Sequence, residues 1–183
     1  MSDLSIFYFF NNFAFRSHAL DALILFFAVF LGYWIVAGVV ACAAATILPR
    51  YSRFRRKNIE IAIVSLASAL IARFGVTELI RFFYSRPRPF EALADANQLL
   101  FREGGGSFPS GHAAFSFALA AVVTFHYPRV GMLFFASAIL ISFTRIAAGV
   151  HWPSDILGGA AIGIVSGFAV LYFSKRFVSH SVI

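Results

Sequence analysis

Five stretches of this chain are apolar for close to 20 residues, the length of helix that crosses roughly 30 Å of hydrocarbon. They run from Leu20 to Leu48, Ile59 to Ile80, Gly111 to Tyr127, Val130 to Ala148 and Ile156 to Phe173, the third being short and polar at its start. Composition agrees: 60% of the 183 residues are hydrophobic and only 13% are charged. A water-facing domain would carry about a quarter charged residues to cover its surface. The natural solvent is lipid, and the expected fold is an all-α, polytopic membrane helical bundle with about five transmembrane helices. No repeat, low-complexity tract or linker divides it, so residues 1–183 read as a single domain. Ahead of the first span, "LSIFYFFNNFAF" (Leu4 to Phe15) is too short to cross, and its aromatics suit an interfacial helix lying on the membrane. The first residues lack the basic start of a cleavable signal and include Asp3, so the first span is expected to be retained.

Lys and Arg placement orients the bundle. The turn between the first two spans holds Arg50, Arg53, Arg55, Arg56 and Lys57 with no acid, which puts it on the cytoplasmic side. Counting from there, Arg129, Lys175 and Arg176 join it inside, while Arg16, Arg81, Arg86, Arg88, Arg102 and Arg145 fall outside among Glu91, Asp95 and Glu103. Five crossings then leave the N-terminus outside and the C-terminus inside. The net charge of +7 is split between two membrane faces with no aromatic-basic platform, which speaks against nucleic-acid binding. The single Cys42 has no partner for an internal disulfide or thiolate cluster and reads as packing.

Three short segments carry chemistry, and all three fall on the outer face. In "RFFYSRPRPF" (Arg81 to Phe90), Pro87 and Pro89 restrict themselves and the residues before them to extended backbone, so Arg86 and Arg88 are held rather than loose. Guanidinium forks fixed in this way meet phosphate oxygens bidentately. On their own, these arginines would equally suit snorkelling to lipid headgroups. In "GGGSFPSGHAAFSF" (Gly104 to Phe117), Ser110 stands as the N-cap of the third span, whose first-turn N–H groups form an anion site. Gly111 admits a close approach there and His112 can give or take a proton. Gly104 to Gly106 lack the strand and spacing of a nucleotide loop and read as a flexible turn. In "TRIAAGVHWPSD" (Thr144 to Asp155), Pro153 opens the last span, with His151 just before it and Asp155 in its first turn. Asp155 also suits the helix dipole, but a carboxylate four residues from an imidazole can hold one ring nitrogen and leave the other as a nucleophile. Arg145, near the outer end of the fourth span, would cost about 2–3 kcal/mol facing lipid and is expected to face a polar cavity.

In these segments the chain resembles the type 2 phosphatidic acid phosphatase (PAP2, lipid phosphate phosphatase) superfamily, which shares its core with vanadium haloperoxidases. That signature is Lys, six residues, Arg-Pro; then Pro-Ser-Gly-His; then Ser-Arg, five residues, His, three residues, Asp. Arg81 with Arg88-Pro89, then Pro109-Ser110-Gly111-His112, then Thr144-Arg145 with His151 and Asp155 match it in order and spacing. Arg81 stands for the usual Lys, keeping the charge and altering its shape, and Thr144 stands for Ser, keeping a hydroxyl. The resemblance implies a PAP2-like helical core, His151 as nucleophile oriented by Asp155, and His112 as general acid and base. It also implies phosphate binding by Arg81, Arg88, Ser110, Gly111 and Arg145. No carboxylate cluster for Mg²⁺ is visible, so no metal or other cofactor is expected.

An outward-facing site at the membrane surface suits a lipid phosphate, and short bacterial members of this kind point to undecaprenyl diphosphate in the plasma membrane. "NNFAFRSHALD" before the first span is similar to that branch. Phosphatidylglycerophosphate, phosphatidate and lipid A 1-phosphate are alternative substrates. A vanadate-binding haloperoxidase is disfavoured by five apolar spans, and a lipid-phosphate binder or transporter would not need both His112 and His151. Arg73 and Glu78, ionisable groups within the second span, are expected to be structural, with Glu78 pairing Arg81 three residues on.

Overall fold

A computed structural model describes residues 2–101 and 104–180; the outward placement expected for Arg102 and Glu103 lies outside the described residues. Among the described residues the chain contains helices and turns and no strand. After α1 (Asp3–Asn11), the first rod is α2 (His18–Leu25), a π-helical segment (Phe26–Phe30) and α3 (Leu31–Ala45). A tight 3₁₀ turn (Pro49–Phe54) leads into the second rod, formed by α4 (Arg55–Leu70), a second π segment (Ile71–Val76) and α5 (Thr77–Phe83). The short α6 (Pro89–Ala92) sits in the loop beyond, before α7 (Gly111–His126), α8 (Pro128–Ala147) and α9 (Pro153–His180).

Four rods are long and apolar enough to cross a membrane: His18–Ala45, Pro49–Phe83, Pro128–Ala147 and Pro153–Arg176. The fifth expected span, α7, has 16 residues, about 24 Å at 1.5 Å per residue. It is bounded by the Ser110 cap at one end and by Pro128, which opens α8, at the other, and it lies at the centre of the bundle. Ala113, Ala114, Ala118, Leu119 and Val122 are fully buried, and α7 packs chiefly against α9 and α8, then α4. A helix that is apolar all round belongs in such a central position. Lipid instead meets the outer surfaces of its neighbours, where Phe82, Leu133 and Leu157 are exposed.

The α7–α9 seam is close because α9 presents glycine every fourth residue. A Cβ on Gly159 would lie 2.4 Å from the Ser110 carbonyl oxygen, and one on Gly163 would lie 2.4 Å from that of Ala114. Gly167 continues the stripe against Ala118 and Ala121. Small residues at this spacing let helix backbones approach where lipid offers no hydrophobic drive to association. The seam thereby brings the first turn of α9 level with the first turn of α7, and the Ser110 N–H donates to the Asp155 carbonyl at 2.9 Å.

The N-terminal helix is more deeply engaged than an interfacial helix requires. α1 docks on α8 and α9, with Phe7 and Asn11 buried. The Asn11 amide donates to the carbonyls of Asn97 (2.7 Å) and Ala147 (3.0 Å), while its oxygen accepts from the Asn97 N–H at 2.8 Å. An amide buried with its hydrogen bonds filled holds the segment in place as surface partitioning would not. At the other end of the bundle Tyr127 donates to Asn58 at 2.7 Å beside the basic turn.

Candidate active site

The turn between α8 and α9 places the first group of side chains. Arg145 lies in the last turn of α8 and is 1% exposed, inside the protein rather than in lipid. The chain then reverses at Gly149, whose φ of +80° is open to glycine, and where any Cβ would lie 2.1 Å from the Asn97 carbonyl oxygen. His151 follows in a fully buried position, and Pro153 begins α9 so that Asp155 stands in its first turn. His151 Nδ1 is 3.5 Å from Asp155 Oδ2, which leaves Nε2 as the ring nitrogen turned away from the carboxylate. Burial, aided by the charges of Arg145 and Arg88 and opposed by Asp155, lowers the His151 pKa to about 4. The imidazole is therefore neutral at pH 7, with a lone pair available.

Asp155 is held from several sides. Its Oδ2 accepts from the Trp152 N–H at 2.8 Å and from the Ser107 hydroxyl, and its Oδ1 accepts from Arg86 Nη1 at 2.8 Å. Arg86 reaches on to Ser154 Oγ (2.7 Å) and Asp3 Oδ2 (2.8 Å), and its guanidinium lies 5.1 Å from the Trp152 ring. Asp3 in turn accepts from the Ser154 N–H at 2.9 Å and hydroxyl at 2.6 Å. Burial works against ionisation of Asp3, but the hydrogen bonds from Ser154 and Arg86 outweigh it and hold its carboxyl below the usual range. Burial also opposes the charge on Arg86, and its carboxylate partners Asp3 and Asp155 more than restore it.

The phosphate-binding candidates converge on the same end. Arg88, 1% exposed, caps α6 in extended backbone, as the flanking prolines predict. Its guanidinium donates to the carbonyls of Val150 (2.9 Å), Gly104 (3.1 Å) and Gly105 (3.2 Å), so the triple glycine supplies acceptors as well as a turn. Arg81 donates to the Pro109 carbonyl at 3.0 Å and to Glu78 at 3.1 Å; its Nε is buried with no hydrogen-bond partner among the described residues. Ser110 is the N-cap of α7, its hydroxyl 3.5 Å from the Ala113 N–H, and Gly111 and His112 form the first turn. His112 stands with Arg73 and Gly111 on the lining of one cavity.

Every sequence-identified site residue thus lies at one end of the bundle, opposite the basic turn. The Ser110, Arg88 and Arg81 bonds tie the three segments directly to one another. Sequence reading missed Asp3, Ser107 and Ser154, which bear on Asp155 only through the fold, and it grouped Arg86 with Arg88 although the two face different partners. The glycine stripe of α9 was available as a signal for the α7–α9 seam. Glu91 and Asp95 are engaged elsewhere, accepting from the Arg88 N–H at 2.7 Å and the Tyr8 hydroxyl at 2.8 Å.

Comparison with known proteins places this arrangement. The PAP2 superfamily model matches residues 61–179. Over 177 residues the chain is 25% identical to the bacitracin transport permease protein BcrC of Bacillus licheniformis, covering 96% of this chain and 83% of that protein. It is 33% identical over 104 residues to the undecaprenyl-diphosphatase BcrC of Bacillus subtilis, covering 57% of this chain and 53% of the relative. The crystal structure of Aquifex aeolicus LpxE superposes with a TM-score of 0.71 at 30% identity, covering 92% of this chain and 94% of the other.

Proposed function

Because the chain belongs to the PAP2 superfamily of membrane phosphatases, we propose that it removes the terminal phosphate of undecaprenyl diphosphate at the outer leaflet of a bacterial plasma membrane. The observation that carries this reading is the meeting of a buried, neutral His151 with Arg81, Arg88, Arg145 and the first turn of α7. His151 Nε2 attacks the terminal phosphorus in line, forming an N–P bond as the bridging P–O bond breaks. His112 gives its proton to the departing bridging oxygen, and undecaprenyl phosphate leaves. His112 then takes a proton from water as that water attacks the phosphohistidine, releasing inorganic phosphate and restoring His151. The guanidinium groups, the Ser110 hydroxyl and the Gly111 N–H hold the three equatorial oxygens and neutralise charge in the transition state. This assignment gives the arginines the charge-neutralising work, and the reaction is expected to proceed without a metal.

Phosphatidylglycerophosphate, phosphatidate and lipid A 1-phosphate compete as substrates of the same chemistry. The test is phosphate release from detergent-solubilised members of this set, with and without EDTA. We expect undecaprenyl diphosphate to be turned over fastest and chelation to leave the rate unchanged. His151→Ala and His112→Ala are each expected to lower kcat by a factor of about 100 or more. Lipid binding with no phosphate release by the unmodified protein would support a binder or transporter instead.

A further inference from the structure

A cavity of about 370 Å³ opens beside the site, between the first rod, the second π segment, α7 and α8. Its walls are largely apolar, among them Val29, Val36, Phe115 and Ile141, but Arg73 and His112 stand together on its lining. Arg73 lies outside the three motifs, within the second rod, and its position is set by Gly111. A Cβ on Gly111 would lie 2.4 Å from both Cδ and Nε of Arg73, so the guanidinium lies directly over the backbone at the start of α7. The rod continues past this level to Phe83, so Arg73 is sunk below the rod's outer end. Its carboxylate partner is Glu78, which also accepts from Arg81. Two guanidinium groups share one carboxylate, leaving a net positive charge at the head of an otherwise apolar groove.

The lining includes His112 but not His151, Arg88 or Arg145. A molecule seated in the groove therefore lies against the proton donor, the residue that serves the leaving group, and not against the nucleophile. The leaving oxygen of a monophosphate ester departs as an alcohol once His112 has protonated it, and the group released then carries no charge for a further arginine to hold. The leaving group of a diphosphate is itself a phosphate. We propose that Arg73 binds the phosphate that remains on the lipid, making it a specificity-determining contact for lipid diphosphates, with the groove taking the first part of the tail. This rests on the phosphatase reading above. In the first step the breaking bond is the bridging P–O, its electrons stay on the lipid-bound phosphate, and Arg73 faces the charge that grows there.

The test compares kcat/KM of the unmodified protein, Arg73→Gln and Arg73→Lys on undecaprenyl diphosphate and undecaprenyl monophosphate in the same detergent. Arg73→Gln is expected to lower the diphosphate-to-monophosphate ratio by about 30-fold, the scale of one charge-assisted hydrogen bond, and Arg73→Lys to regain part of it. Equal losses on both lipids, or a ratio restored by adding Glu78→Gln to Arg73→Gln, would make Arg73 a structural partner of Glu78 and overturn the proposal. An unmodified protein that cleaves only the monophosphate overturns it while leaving the phosphatase reading intact. If the unmodified protein cleaves neither lipid, the phosphatase reading fails, and thermal stabilisation by the non-hydrolysable methylene analogue of the diphosphate decides for Arg73. An equal shift in Tm for the unmodified protein and Arg73→Gln then overturns the proposal.

Discussion

Asp155 receives the Trp152 N–H, the Ser107 hydroxyl and Arg86 while standing 3.5 Å from His151, so its orientation is fixed from three directions. A carboxylate restrained in this way fixes the ring it faces, and the network passes through Arg86 to Asp3 in the N-terminal helix. Asp3→Asn keeps the size of the side chain but removes the charge that Arg86 faces. We expect it to lower kcat about 3- to 10-fold with KM little changed, since Asp3 acts through Arg86 and Asp155 and touches no substrate. Steady-state kinetics on the best substrate would check the split; a change confined to KM would count against it. The buried imidazole leads to a pH prediction with a definite sign. A pKa of about 4 lies below the usual histidine value of 6.5, so His151 remains neutral between them, as the proposed nucleophile must be. Phosphoenzyme formed in a rapid-quench experiment should therefore persist at pH 5 and fall away only as pH drops through about 4. Over the same window the unfolded chain binds a proton that the folded one does not, so this histidine makes folding less favourable as pH falls from 6.5 towards 4.

At the scale of elements, the seam between α7 and α9 decides whether the residues meet. Gly163→Ala would push a methyl group to 2.4 Å from the Ala114 carbonyl oxygen, a backbone atom that yields only if the helices separate. We expect a loss of about 1–3 kcal/mol, read as a lower Tm in detergent, together with reduced turnover. Gly38→Ala in α3 meets nothing within 4 Å and serves as the control. It should leave Tm unchanged or raise it, since alanine is the better helix former. The two substitutions are chemically identical, so a difference between them isolates the interhelical contact from helix propensity. The reversal at Gly149 is the other element-level device, delivering His151 from the end of α8 to the start of α9 through a turn that closes against Asn97.

For the whole molecule, the basic turn at one end and the site at the other make a prediction about sidedness. In a Cys42→Ser background, a cysteine at the exposed Ser52 should resist a membrane-impermeant thiol reagent applied to intact cells, whereas one at the exposed Ala94 should react. The opposite pattern would turn the site to the cytoplasm. The number of apolar segments, the proline and serine that open α9 and α7, and the arginine, histidine and aspartate spacings were all legible along the chain, because each rests on local chemistry. A span's length is set by hydrocarbon thickness, a cap by the next turn's N–H groups, and the His151–Asp155 spacing by the start of α9 at Pro153, between the two. Which arginine would serve Asp155 and which would bond the Val150, Gly104 and Gly105 carbonyls, that α1 would dock on α8 and α9, and that Arg73 would lie against Gly111 were decided only by the tertiary structure. Those outcomes depend on contacts between residues 28 to 151 positions apart, brought together by helix packing and burial, and no local pattern records how closely two helices will pass.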